Sequence, residues 1–315
     1  MHDHEVHFPT ELRRRELLGA AAAVGAGLLL GPRSAAWALP AVKLPGFSAF
    51  ASSVRVFKSS KYYLVESSGL PAHGMMVGIK SWQQQVPTPQ PYTGANAWSI
   101  PIKPVISKSP MSAKTHFLRG AIAIAVNGVP IFNALNNRGD DALLAGELDD
   151  WGGHCGRADD YHYHVAPIHL QSIVGKAAPI AYALDGFPIY GLTETNGAKV
   201  VGLDAYNGHF DAKRKYHYHA TKTYPYINGG FRGIVTEIEG QVDPQAATRA
   251  FRPAGAPLRG ATITAFNRVA GNSYALQYDL EGQTYTLNYT ATLTDVHMEF
   301  IKPTGQQRTE TYRRA

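Results

Sequence analysis

The sequence predicts a mainly β protein. It reads as a duplicated β-rich core with pseudo-symmetric halves, followed by a small C-terminal antiparallel β-sheet or sandwich. Three observations predict this. Across 315 residues, 44% are hydrophobic, enough for a sizeable core, while only 17% are charged and Gly and Pro supply 31 and 20 positions. That balance favours turn-rich β structure over long helices. From residue 120 onward the chain repeats itself, and beyond residue 255 apolar and polar residues alternate with period two.

The first 38 residues read as a leader rather than as part of the fold. Arg13-Arg14-Arg15-Glu16-Leu17-Leu18 precedes an apolar run from Gly19 to Leu30, and Ala36-Trp37-Ala38 follows. A charged segment, a short apolar segment and an Ala-x-Ala site make a secretory signal layout. The Arg14-Arg15 pair followed by leucines points to twin-arginine export, so the expected partner is that export machinery and the expected location periplasmic or secreted. The alternative is a short membrane anchor, but about 12 apolar residues are too few where roughly 20 are needed. No later segment reads as a membrane span. Cleavage is expected after Ala38, and His2, His4 and His7 leave with the leader. The leader carries four basic and four acidic residues, so the mature chain keeps the net charge of +6. With no Lys/Arg run longer than three, that charge gives no case for nucleic acid. The single cysteine, Cys155, excludes an intrachain disulfide framework and a cysteine-only metal cluster.

Residues 39–240 read as the main domain. Its first part is irregular, with Val54–Phe57 and Tyr62–Val65 as short strands and Pro87-Thr88-Pro89-Gln90-Pro91 as extended loop. His73 reads there as a loop histidine. The repeat occupies about 120–170 and 178–225. Ile122-Ala-Ile-Ala-Val-Asn-Gly-Val-Pro-Ile-Phe132 matches Ile180-Ala-Tyr-Ala-Leu-Asp-Gly-Phe-Pro-Ile-Tyr190 at six of eleven positions. Each copy is an apolar run, an Asn-Gly or Asp-Gly turn and a second short run, which predicts a hairpin. A second block, Leu148-Asp149 to His154, recurs as Leu203-Asp204 to His209. After six intervening residues both copies read Tyr-His-Tyr-His, at 161–164 and 216–219. Two copies are too few for a solenoid and suggest paired half-domains.

The C-terminal part, 255–315, alternates Tyr274, Leu276, Tyr278, Leu280 and then Tyr285, Leu287, Tyr289, Ala291, Leu293 with small or polar residues. Period two means one buried and one wet face. Val296, Met298 and Phe300 continue the series, which puts His297 outward.

The histidines carry the chemistry. In a strand, residues i and i+2 share a face, so His162 pairs with His164 and His217 with His219. Each copy adds a third histidine eight positions upstream, His154 and His209, preceded by a glycine. Two strand histidines plus one more is the ligand set of catalytic zinc sites, whose fourth position stays open. Hydrogen-bonded histidine pairs packed among aromatics are the plain alternative. Asp149 and Asp204 recur five residues before the third histidine, either as ligands, as partners orienting an imidazole, or as turn residues. Cys155 faces Phe210 in the other copy and reads as an inert buried thiol. His169 corresponds to Tyr224 and Asp160 to Lys215, so neither is shared. Imidazole-rich sites suit copper or zinc, and iron requires a carboxylate such as Asp149 to join. The histidines are expected to line one cleft between the halves.

The paired Tyr-His-Tyr-His tetrapeptides, their Leu-Asp…Gly-His lead-ins and Leu184-Asp185-Gly186-Phe187-Pro188-Ile189-Tyr190-Gly191 resemble the YHYH domain family. Gly69-Leu70-Pro71-Ala72-His73, Pro91-Tyr92-Thr93 and Thr223-Tyr224-Pro225-Tyr226 resemble its flanking parts, so the resemblance covers roughly 60–235. It implies an exported β-rich domain and brings no settled activity, and its histidines carry over as candidate ligands. The leading expectation is therefore an exported metal-binding protein, with metal-dependent chemistry open. The rival is a non-catalytic extracellular binding module, for glycan or protein. In it Trp82, Trp98 and Trp151 form an aromatic surface and the histidines are structural. No Ser-His-Asp arrangement and no phosphate-cradling glycine loop is present.

Overall fold

In the computed structural model, residues 40–80 and 82–314 are described. The leader and its cleavage site lie outside the described residues. The irregular first part supplies β1 (Arg55–Lys58), β2 (Tyr62–Glu66) and β3 (Trp98–Pro101), an antiparallel sheet in the order β1-β2-β3. β4 (Ile106–Ser112) runs out of it towards the repeat.

The first repeat copy folds as β5 (Ala121–Ala125), β6 (Pro130–Phe132), β7 (Gly153–Cys155) and β8 (Tyr161–Tyr163). A single helical turn, Gln171–Val174, leads to the second copy. That copy is β9 (Ala181–Ala183), β10 (Pro188–Tyr190), β11 (Gly208–Phe210) and β12 (Tyr216–His219). All eight strands form one sheet in the order β11-β12-β10-β9-β5-β6-β8-β7. The order is a palindrome of the two copies. At its centre β5 and β9 pair antiparallel, Ala123 opposite Ala183, Ile124 opposite Tyr182 and Ala125 opposite Ala181. Ile124 and Tyr182 are equivalent residues of the repeat, so the pseudo-two-fold axis passes between them. Each copy then places a parallel pair outward, β6 with β8 and β10 with β12. The apolar runs that predicted hairpins are fully buried at this seam, because the strands are covered on both faces.

This topology corrects one expectation. The Tyr-His-Tyr-His strands do not meet in a cleft between the halves. The halves join through β5 and β9, and β8 and β12 lie five strand steps apart, on the order of 24 Å. Sequence spacing fixed each half internally but could not say which edges would pair.

β13 (Gly230–Gly233) pairs back with β4, and β14 (Thr236–Ile238) forms a hairpin with β15 (Gln241–Asp243). The C-terminal part is a single meander of β16 (Thr262–Ala270), β17 (Ser273–Leu280), β18 (Gln283–Ala291), β19 (Asp295–Ile301) and β20 (Gln307–Arg313). Tyr274, Leu276, Leu287, Tyr289, Val296 and Met298 are buried on one face, and His297 points outward to Thr311. The inner face joins the same hydrophobic core as the repeat. The Tyr289 hydroxyl donates to the Pro87 carbonyl at 2.8 Å, and the Gly78 and Ile263 main chains pair across the junction. No described helix is long and apolar enough to cross a membrane.

Candidate metal centres

The alternation of Tyr-His-Tyr-His sets its chemistry. Tyrosines point into the core and histidines to the other face. The core-side hydroxyls are all engaged. Tyr161 donates to Asp149 and Tyr216 to Asp204, each at 2.8 Å. The Tyr163 hydroxyl accepts from Asn127 at 3.0 Å, and Tyr218 donates to Asp185 at 2.5 Å. Asn127 and Asp185 are the equivalent turn residues of the two hairpins.

Asp149 and Asp204 therefore orient no imidazole. Besides the phenol, Asp149 accepts from the Met76, Trp151 and Gly153 main-chain N–H groups, and Asp204 from those of Tyr206 and Gly208. They hold the turn that returns β7 or β11 against its partner. Burial pushes the Asp149 carboxyl up to about 6 against the pull of its donors, so it is ionised at neutral pH. Of the three roles open to the recurring Asp, these bonds are those of a turn residue, and its side-chain partner is the tyrosine rather than the histidine.

In the first copy His154 on β7 faces His162 across the ladder, and His164 follows beyond the end of β8. Ring centroids lie 4.8–5.0 Å apart for all three pairs. His154 Nε2 and His164 Nε2 are 3.1 Å apart. Nδ1 of His164 is 2.6 Å from the Asn133 carbonyl, and Nδ1 of His162 is 3.0 Å from the Asp160 carbonyl. A carbonyl only accepts, so each Nδ1 carries the proton and each Nε2 presents its lone pair. The main chain of Glu147 bonds His154 in the same way, and lone pairs facing at this distance repel unless a shared proton or a metal ion lies between them. Tetrahedral coordination at 2.0–2.1 Å places donor nitrogens about 3.3 Å apart. Desolvation pushes the His164 imidazole down to about 3 and that of His154 well below its ordinary value, with further depression from the neighbouring imidazoles. Both are neutral, the form a metal requires. Phe132 stacks on His162 at 3.9 Å and fixes that ring.

The second copy repeats this arrangement. His217 Nε2 lies 3.0 Å from both His209 Nε2 and His219 Nε2. Nδ1 of His219 meets the Gly191 carbonyl at 2.9 Å, and Nδ1 of His209 meets that of Val201 at 3.0 Å. Gly191 is the repeat equivalent of Asn133, so the duplication preserved the carbonyl that sets the tautomer. One residue is new. Glu194 stands 3.3 Å from His209 Nε2, 3.6 Å from His219 Nε2 and 3.8 Å from His217 Nε2. The four donors form one group that could hold a metal ion, as do His154, His162 and His164. Sequence reasoning missed Glu194. Its repeat equivalent is Asn136, whose side-chain oxygen is occupied by the Arg138 and Asp140 N–H groups. The mismatch of Asn136 with Glu194 was the available signal.

Residues 97–199 match the sequence model of a family described as YHYH protein. The chain carries a YHYH domain. The matched segment holds His154, His162, His164 and Glu194 and ends before His209, His217 and His219. It is narrower than the span over which the resemblance was read. No curated protein and no solved structure matches the chain.

Within the YHYH domain the first cluster opens onto a cleft of about 880 Å³, whose walls include all three of its histidines. The tryptophans do not make an aromatic surface. Trp82 and Trp98 are buried, Trp82 donating to the Gln85 carbonyl, and Trp151 is half-buried and stacked on His73. His73 is more than a loop histidine. Its Nε2 meets the Tyr163 hydroxyl at 2.6 Å and its Nδ1 the Gly74 carbonyl. Cys155 is buried and burial pushes its thiol well up, so it is inert as expected.

Proposed function

We propose that the protein is an exported metal-binding protein with two non-equivalent sites, one per repeat copy. The observation that carries the reading is the convergence of Nε2 lone pairs whose tautomers are fixed by main-chain carbonyls, repeated in both copies. The second site has four protein donors, His209, His217, His219 and Glu194, which is the composition of a closed, structural centre. The first has three imidazoles beside a cleft, which is the composition of a centre that keeps a position for water or substrate. Copper or zinc suits the all-imidazole set, and the carboxylate lets the second site accept iron as well.

A metal ion held by the first site would supply Lewis-acid chemistry to an oxygen of a substrate in the cleft. The chain's own part is to hold the three imidazoles oriented, through Asn133, Asp160 and Phe132, with His154 and His164 kept neutral by burial, and to leave the cleft side free. Trp82 and Trp98 border the cleft but form no exposed aromatic patch, which weighs against a module that binds through a flat aromatic surface. Export rests on the twin-arginine leader pattern.

Elemental analysis of protein recovered from its export route tests this. About two transition-metal ions per chain are expected. His162→Ala with His164→Ala should remove one, and His217→Ala with His219→Ala the other. A metal-free wild-type chain that takes up neither zinc nor copper(II) would overturn the reading.

A further inference from the structure

The cleft beside the first cluster is basic in a way the sequence conceals. Lys80, Arg119, Arg138, Arg157 and Arg259 line it, against the acidic Glu147 and Asp160. These cations come from five separate loops and turns, so no run of charge marks them in the sequence. Arg138 is spent on Glu147 and Asp140. Asp160 is buried, with its carboxylate turned to the Ala158 N–H. Lys80, Arg119, Arg157 and Arg259 are exposed and make no ion pair among the described residues. Like charges held around one concavity repel and focus a positive potential into it.

The duplication provides an internal control. By the repeat offsets, Arg119, Arg138 and Arg157 correspond to Ala177, Asn196 and Ala212. These three positions are thus not basic in the second copy, whose own charges, Lys213, Arg214 and Lys215, stand where the first copy has Ala158, Asp159 and Asp160. Arginine prevails over lysine, and a guanidinium fork matches an oxyanion in two-point contact. Gln83, Gln241 and Asn137 line the same space, and amide side chains suit hydroxyl groups. A volume of about 880 Å³ is that of a small-molecule site rather than a polymer track.

We propose that this cleft binds a small hydroxylated oxyanion, a sugar phosphate or sugar carboxylate, with its charged group on the arginines and its polar body towards His154, His162 and His164. The proposal rests on the metal reading for what lies at the head of the cleft, but its recognition by charge does not need the metal.

The test is calorimetric titration of the full exported chain, metal-loaded and chelator-stripped, with glucose 6-phosphate, glucuronate and glucose. At least one charged sugar should bind saturably, about 10-fold or more tighter than glucose, and more weakly as salt rises. Arg119→Gln with Arg259→Gln should lose about 10-fold or more, and Arg157→Gln should lose affinity too, with unchanged melting temperatures because these side chains are exposed. Which charged sugar binds better separates phosphate from carboxylate. Equal binding of glucose, no loss in the arginine variants, or no binding of either charged sugar up to about 10 mM would overturn the proposal. Arginine-dependent binding by a chain that takes up neither zinc nor copper(II) would overturn the metal reading alone.

Discussion

A buried imidazole is costly when charged, and two histidines that ligate nothing show it. Beside Trp151, burial holds His73 down to about 4 and His169 down to about 3. In the unfolded chain each returns to about 6.5. Between those values the unfolded state binds more protons, so stability rises with pH. It is fully present above about pH 6.5 and falls as pH drops below it, with a slope of up to about 1.4 kcal/mol per pH unit for each histidine. Asp149 and Asp185, both raised to about 6, act with the opposite sign between about 4 and 6. Urea unfolding of metal-free protein at pH 7 and pH 5 should show His169→Phe flattening the histidine part of this dependence. An unchanged slope would contradict it. Tyr218→Phe leaves the buried Asp185 carboxylate and the Arg232 N–H without the hydroxyl they share, and should cost about 1–3 kcal/mol. Glu194→Gln should weaken metal binding at the second site by about 10-fold or more and leave the first unaltered, read by competitive chelation.

At the scale of elements, β7 and β11 decide whether the third histidine reaches the other two. Both begin with a glycine lying against a tyrosine. A Cβ on Gly153 would stand 2.6 Å from the Tyr161 hydroxyl and from the His162 carbonyl, both of which are fixed in the core. Gly153→Ala should push β7 from β8 and carry His154 away. The expected result is loss of one of two metal ions with the second site intact, measured by elemental analysis. At the seam, Ile124 lies on the pseudo-symmetry axis with no exposure, and Ile124→Ala should cost about 2–5 kcal/mol. The strands themselves were legible because their apolar runs and turn dipeptides are local. The period-two C-terminal sheet was legible for the same reason. The pairing of β5 with β9 was not, since an apolar strand buried on both faces advertises no preferred neighbour. His162, His164, His217 and His219 were likewise legible from their i, i+2 spacing, and His154 and His209 from recurring eight residues upstream. Glu194 was not, because its approach depends on a loop conformation shared with Asn136.

For the whole molecule, duplication followed by divergence explains why one histidine cluster lies beside a cleft and the other has gained Glu194. The two lie at opposite ends of an eight-stranded sheet, so their occupancies should be independent, and stripping one should leave the affinity of the other unchanged. The proposed twin-arginine export, which carries folded proteins, would suit a chain whose histidine clusters come together only in the folded sheet. Arg14→Lys with Arg15→Lys should abolish export, and exported wild-type protein should begin at Leu39 by N-terminal sequencing. Unimpaired export of the variant would point to the general secretory route. The most direct measurement is anomalous diffraction at a zinc or copper edge from crystals of the metal-loaded chain. Two peaks are predicted, one about 2.0–2.1 Å from Nε2 of His154, His162 and His164, and one at that distance from Nε2 of His209, His217 and His219 with Glu194 as fourth ligand. A single peak shared between the halves, or none at either cluster, would contradict the account.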